Sequence, residues 1–201
     1  MDLKTLKYRK LPAALLIFLT ACTCHIPVSN RITATRIQDW ISLYQHPLEL
    51  HIAKPINNHN GNVLVLYSTG DGGWRGLGEQ IYEWIAAWDY PVVGFSSKEY
   101  LKNLGYVSDT TTPRRLVRDY QSIIQHAEQR LDMPPSTRII LVGLSRGAGL
   151  DVVAAGQGEL QPNLGGLVAI ALTKEEENVV HYRRSRHSSP SQPRRELVQI
   201  Q

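Results

Sequence analysis

Cysteine is nearly missing from this chain: two among 201 residues, Cys22 and Cys24, with only Thr23 between them. A bridge joining them would staple nothing, so disulfides do not hold the fold together. Clustered basic charge is missing too. The net charge of +4 collects at the ends, with Lys4, Lys7, Arg9 and Lys10 opposed only by Asp2 at the start and a further cationic excess after residue 173. Residues 22–173 are left close to neutral. A nucleic-acid surface needs Lys and Arg gathered on one folded face, so nucleic acid is excluded as a partner. No Gly-Lys-Ser/Thr phosphate loop occurs, and no Gly-x-Gly-x-x-Gly follows a strand-like run. No nucleotide cofactor is therefore expected, and no other cofactor or metal is expected either.

Also absent is an apolar run long enough to span a bilayer. The longest, "LPAALLIFL" (11–19), follows four cations and has the length of an export-signal core. It ends in Leu19-Thr20-Ala21-Cys22, which resembles a bacterial lipobox, where cleavage before the cysteine frees it for diacylation. An ordinary secretory signal cut nearby is the alternative. On the first reading residues 1–21 are a signal peptide and 22–35 a polar tether. Cys22 then anchors the protein by lipid to a membrane facing the periplasm.

What is present reads as one domain over 36–173 followed by a charged, disordered tail over 174–201. "LELHIAKP" (48–55) alternates as a half-buried strand does, and "NVLVLYST" (62–69) is a continuous apolar run suited to a strand covered on both faces. "WRGLGEQIYEWIAAWD" places Leu77, Ile81, Trp84, Ile85 and Trp88 at helical spacing, which predicts that these tryptophans pack in the core. "YPVVGFSS" (90–97) is the next strand, and "SKEYLKNLGYVSDTTTP" reads as a long irregular connection. Pro113 opens a helix with Thr112 as N-cap and a stripe of Leu116, Tyr120, Ile123, Ile124, Ala127 and Leu131. His126 beside that stripe is expected to pack rather than to ligate. "RIILVGL" (138–144), a short helix and "LGGLVAIAL" (164–172) complete a strand–helix alternation, which argues for an α/β fold with a parallel sheet.

"GLSRG" (143–147) places Ser145 where the apolar strand turns into the small-residue helix. A Gly-x-Ser-x-Gly bend in that context is the pattern of a nucleophile elbow, in which glycines two residues away on either side clear space for a strained serine. The Arg146 amide at the helix N-terminus would then face a developing oxyanion. "YSTGDGGW" (67–74) follows an earlier strand, the position from which a second oxyanion amide comes, so Asp71 and Gly72 join Arg146 as candidates. The Asp71 side chain reads as a turn former.

"VLVLYSTGDGGW", "YPVVGFSSKEYL", "TTPRRLVRDYQSII" and "IILVGLSRGAG", in this order and spacing, resemble the VirJ/AcvB family of bacterial virulence-associated periplasmic proteins. The likeness covers roughly residues 60–175. It implies an α/β-hydrolase-like, mostly parallel sheet with helices on both faces, and Ser145 as nucleophile of a serine ester hydrolase. It also implies an ester substrate, an aminoacylated phospholipid or another membrane lipid or small ester, and a link to secretion. Where such members carry an aspartate four residues past the serine, this chain has Gly149, and Asp151 comes two residues later.

In this fold an acid and then a histidine follow the serine on later loops. Two more strand–helix units would need roughly 60 residues, more than follow Leu172. The expectation is therefore a sheet lacking its last strands, with catalysis impaired for want of acid and base. Glu175, Glu176 and Glu177 are weak candidates for the acid, and His181 and His187 for the base. A noncatalytic, membrane-tethered binding protein on the same scaffold is the competing expectation.

Overall fold

A computed structural model describes residues 34–57, 60, 62–106 and 112–172, together with the backbone of 175–177 and 197–199. The chain divides into Met1–Arg31 and Ile32–Gln201, and all described residues belong to the second unit. Cys22, Cys24, the export signal, the tether as far as residue 33, His25, His59, His181, His187 and most of the expected tail lie outside the described residues.

The strands are β1 (Ala34–Leu43), β2 (His46–Pro55), β3 (Val63–Ser68), β4 (Val92–Phe95), β5 (Arg138–Leu144), β6 (Leu164–Ile170), β7 (Glu175–Glu177) and β8 (Leu197–Gln199). The helices are α1 (Leu77–Ala87), α2 (Ser97–Gly105), α3 (Pro113–Leu131) and α4 (Arg146–Ala155). Six strands form one sheet in the order β1-β2-β4-β3-β5-β6. β3 pairs parallel with β4 and β5, and β5 pairs parallel with β6. β1 and β2 form an antiparallel hairpin, with β2 antiparallel to β4. The short β7–β8 pair stands apart.

The sheet has an apolar layer on each face. On one side Val65, Tyr67, Val92 and Val142 pack with Ile81, Tyr82 and Ile85 of α1. On the other, Leu64, Leu66, Val93, Phe95 and Leu141 pack with buried residues of α2, α3 and α4. Adjacent strand residues serve opposite faces, and this is why β3 reads as an unbroken apolar run.

Three expectations are corrected. The segment assigned to a tether ends sooner, because Ala34 and Thr35 already pair with Pro55 and Lys54 in β1. The hairpin turn is Tyr44-Gln45, both at positive φ, and it carries none of the Asn-Gly or Asp-Gly signal such turns usually show. The connection read as irregular contains α2. The Ser96 side chain accepts from the Glu99 amide as its N-cap, and Tyr100, Leu101 and Leu104 face the core. Finally, Trp84 is 42% and Trp88 62% exposed, since the buried face of α1 is the one bearing Ile81, Tyr82 and Ile85.

α3 has the Thr112 cap, Pro113 in its first turn and the buried stripe read from the sequence. His126 packs half-buried and lies 2.9 Å from Asp39 of β1, which also takes Arg130 at 2.7 Å. β6 ends the six-stranded sheet, and Leu167 and Val168, which point to opposite faces, are 38% and 48% exposed. Among the described residues no helix is long and apolar enough to cross a membrane.

Candidate active site

Ser145 stands between β5 and α4 at φ 51° and ψ −116°. A non-glycine residue held at positive φ outside the left-handed well costs on the order of 1–3 kcal/mol and persists only where its surroundings enforce it. Here they do. A Cβ on Gly143 would meet the Ala148 backbone at 2.5 Å, and one on Gly147 would meet the Ser68 and Thr69 carbonyl oxygens at 2.4 and 2.6 Å. The two flanking glycines thus let strand, serine and helix close on one another and let α4 seat against the end of β3.

The loop after β3 completes the arrangement. A Cβ on Gly70 would lie 3.1 Å from Ser145 Cβ and 3.2 Å from the Leu144 carbonyl oxygen. The Gly73 amide donates to the Gly70 carbonyl at 3.0 Å, and Gly73 sits at φ +69°. Ser97 Oγ donates to the Thr69 carbonyl and so fixes the start of the loop to α2. The glycine hollow therefore lies directly against the serine, on the same rim of the sheet. Its distal end, Gly72 and Gly73, borders a cavity of about 350 Å³ that Trp74, His51, Ser96 and Lys98 help to line. Trp74 stacks on His51 with ring centroids 3.7 Å apart, and burial draws the His51 imidazole below its usual value.

A strained serine between strand and helix, facing a glycine loop from the neighbouring parallel strand, falls inside the stretch matched by a sequence family. The family described as "Bacterial virulence protein (VirJ)" matches residues 62–173. The chain belongs to the VirJ family. Among curated proteins no sequence matches it. Among solved structures it is similar to a dienelactone hydrolase-like promiscuous phosphotriesterase from metagenomic libraries, with a TM-score of 0.53 at 10% identity over 71% of this chain and 59% of that one. It is also similar to a Klebsiella pneumoniae protein described as a dienelactone hydrolase, with a TM-score of 0.52 at 13% identity over 69% and 60%. Est1E from Butyrivibrio proteoclasticus gives 0.51 at 13% identity over 67% and 51%. At these identities the likeness shows the fold, which is that of the α/β-hydrolases, and the chain spans between 51% and 60% of these neighbours' lengths.

Within this VirJ-family site the Asp71 side chain does more than shape a turn. Its Oδ1 lies 2.6 Å from Arg146 Nε, an ion pair running from the glycine loop to the first residue of α4. The Nε–H is not aimed at that oxygen, so the contact is one of charge rather than a hydrogen bond. The Arg146 amide belongs to the first turn of α4, where backbone N–H groups have no intrahelical acceptor.

Behind the elbow lies a residue the sequence reading did not place in the site. Asp151, fully buried, accepts at Oδ1 from Ser68 Oγ at 3.0 Å and from Tyr120 Oη at 2.7 Å. Burial pushes its carboxyl up to about 8 against the partial relief of those two hydroxyls. The sequence offered only one signal, an acid in the middle of an otherwise small and apolar helix.

Among the described residues no side chain hydrogen-bonds the Ser145 hydroxyl. The described histidines are engaged elsewhere: His46 stacks on Tyr106, His51 on Trp74, and His126 pairs with Asp39. Glu175 and Glu176 lie on β7, where only the backbone is described. Among the described residues no group of three potential metal ligands occurs.

Proposed function

We propose that this VirJ-family chain carries the acyl-transfer half of a serine ester hydrolase, with Ser145 as nucleophile. The observation that carries the reading is the φ of 51° at Ser145 with Gly70 packed against it. Such a geometry has a cost in strain and a use in holding a hydroxyl beside an anion-receiving hollow. In the reaction Ser145 Oγ attacks the ester carbonyl as a base takes its proton. The carbonyl oxygen takes up the negative charge facing the Arg146 amide and the amides of the loop at Asp71 and Gly72. Collapse expels the alcohol, which takes up the proton, and water then releases the acid from the acyl-serine.

Among the described residues no base reaches Ser145; His181 and His187 are only weak sequence candidates for it and Glu175 or Glu176 for the acid, so this reading carries the expectation of impaired turnover. The cavity at Gly72, Gly73 and Trp74 offers room for the part of the substrate remote from the scissile bond. The resemblance to VirJ and AcvB proteins supports an aminoacylated phospholipid as the ester. A lipid anchor at Cys22 would hold enzyme and substrate at one periplasm-facing membrane.

The test is covalent. Purified protein treated with a fluorophosphonate is expected to label at Ser145, and Ser145→Ala to abolish the label. Equal labelling of the two proteins overturns the assignment. Incorporation of radiolabelled palmitate, lost in Cys22→Ala, tests the anchor.

A second reading is supported by the lack of any base on Ser145 among the described residues. On that reading the chain is a membrane-tethered binding protein, using the same cleft to hold a lipid headgroup or a secretion component without turnover. It predicts no labelling of Ser145 together with saturable binding of phospholipid vesicles.

A further inference from the structure

Asp151 is the buried titratable group that the reaction just described leaves unused. Its two hydrogen bonds join three elements: Ser68 is the last residue of β3, Tyr120 lies in α3, and Asp151 itself is on the elbow helix α4. Ser68 is also the residue whose carbonyl a Cβ on Gly147 would strike, and the glycine loop begins two residues further on. Both bonds fall on Oδ1, and Oδ2 is buried without a partner among the described residues.

The groups around this carboxyl are almost all uncharged. β3 contributes Ser68 and Tyr67, whose hydroxyl also lacks a partner among the described residues. α3 contributes Tyr120, while the adjacent Asp119 directs its carboxylate to the Tyr44 and Tyr100 hydroxyls instead. β5 and β6 bring apolar side chains and glycine, and their one ionisable residue, Arg138, begins β5 at the end of the strand away from Ser145. Among the described residues no Lys, Arg or His bonds to Asp151. An isolated carboxyl in such a setting keeps its proton through neutral pH, in keeping with its value of about 8.

We propose that Asp151 is a positioning residue for the Ser145 site. In its neutral form it clamps the end of β3, and with it the glycine loop, against the elbow helix; ionised, it sets a negative charge behind the oxyanion hollow. The proposal rests on the hydrolase reading above. Asp151 stands five residues past Arg146, about 7–8 Å along the helix axis. A unit charge at that distance, with an effective dielectric near 20, slows a step that builds an oxyanion roughly thirtyfold.

The experiment follows the rate of Ser145 labelling by a fluorophosphonate from about pH 6 to about pH 10 in wild type, Asp151→Asn and Asp151→Ala. Asn keeps an acceptor for Ser68 and Tyr120 and cannot ionise. The wild-type rate, divided by that of Asp151→Asn, is expected to fall roughly thirtyfold through the window centred near pH 8. Asp151→Ala, which strands both hydroxyls, is expected to label slowly throughout. A ratio that does not change with pH overturns the proposal.

Thermal unfolding supplies a readout that needs no chemistry. A carboxyl raised in the folded state binds a proton that the unfolded chain has released, so wild-type stability falls as pH rises from about 4 to about 8. Asp151→Asn lacks that loss, and its melting temperature is expected to gain on wild type across the window. A constant difference refutes the neutral clamp. Wild type that labels at no pH instead refutes the hydrolase reading, while the melting series still decides the protonation state of Asp151.

Discussion

Arg146 and Asp71 meet across the mouth of the elbow, Nε to Oδ1 at 2.6 Å, so the residue whose amide we propose for the oxyanion hollow also carries a cation tied to the glycine loop. The pair makes the hollow more than a set of backbone donors. It holds the guanidinium of the residue after Ser145 against a carboxylate that is mostly exposed.

Replacing that carboxylate separates the two roles. Asp71→Asn is expected to change the melting temperature little, because the Asp71 side of the pair is mostly exposed, Asn keeps an oxygen facing the largely buried Arg146, and such a half-solvated pair contributes about 1 kcal/mol. Its effect falls on selectivity. With Arg146 unpaired, anionic phosphonates are expected to label Ser145 faster relative to neutral ones, and Arg146→Gln to reverse the preference. The ratio of second-order labelling rates, read at low and at high salt, checks this, and an unchanged ratio in both variants would remove Arg146 from substrate recognition.

The elbow glycines are expected to be intolerant of a single methyl. In Gly147→Ala the new carbon would press on two backbone oxygens at 2.4 and 2.6 Å, neither free to move without shifting β3. The expected loss is about 1–3 kcal/mol, typical of overpacking. Gly158→Ala is the control, since nothing lies within 4 Å of its would-be Cβ. Urea unfolding of the two variants should separate them clearly.

Much of this site was legible before any fold was known, and the reason is local. A Gly-x-Ser-x-Gly bend is dictated by sterics within five residues, and α3 announces itself through Thr112, Pro113 and an unbroken apolar stripe. α2 was missed although Ser96 and Glu99 stood three apart as a cap, because its apolar residues are few. β1 was missed because Tyr44-Gln45 does not look like a hairpin turn. Trp84 and Trp88 fit helical spacing, but spacing gives a stripe and not which stripe the sheet will cover. Asp151 was unreadable in principle. Its partners stand 83 and 31 residues away in the chain, and only the sheet order brings them together.

β1 is held to α3 by a small charged cluster whose pH dependence is calculable in sign. Asp39 is drawn below the usual carboxylate range, first by the hydrogen bond from His126, with the Trp40 amide and Arg130 adding to it. A depressed carboxylate contributes stability that is complete above its unfolded value near 4 and is lost as pH falls through the lower folded value. Asp39→Asn should therefore cost about 1 kcal/mol at neutral pH and progressively less below about pH 4. Denaturant midpoints at neutral and acid pH decide it; an equal cost at both would mean the bond matters for shape and not for charge.

β6 poses the last question, because its exposure contradicts its composition. A strand reading Leu-Gly-Gly-Leu-Val-Ala-Ile in a parallel sheet ought to be covered on both faces, yet Leu167 and Val168 both stand partly in solvent, as does Leu172 just beyond. Among the described residues no strand pairs with the outer edge of β6, and an unpaired edge flanked by apolar side chains is a template for pairing with another chain. Neither side chain belongs to the two buried apolar layers, so Leu167→Lys with Val168→Thr is expected to lower the melting temperature only modestly. The double variant should suppress concentration-dependent association, measured by sedimentation velocity. If wild type is monodisperse at every concentration, the edge is protected by something other than side-chain charge, and β6 is not the adhesive surface that its sequence suggests.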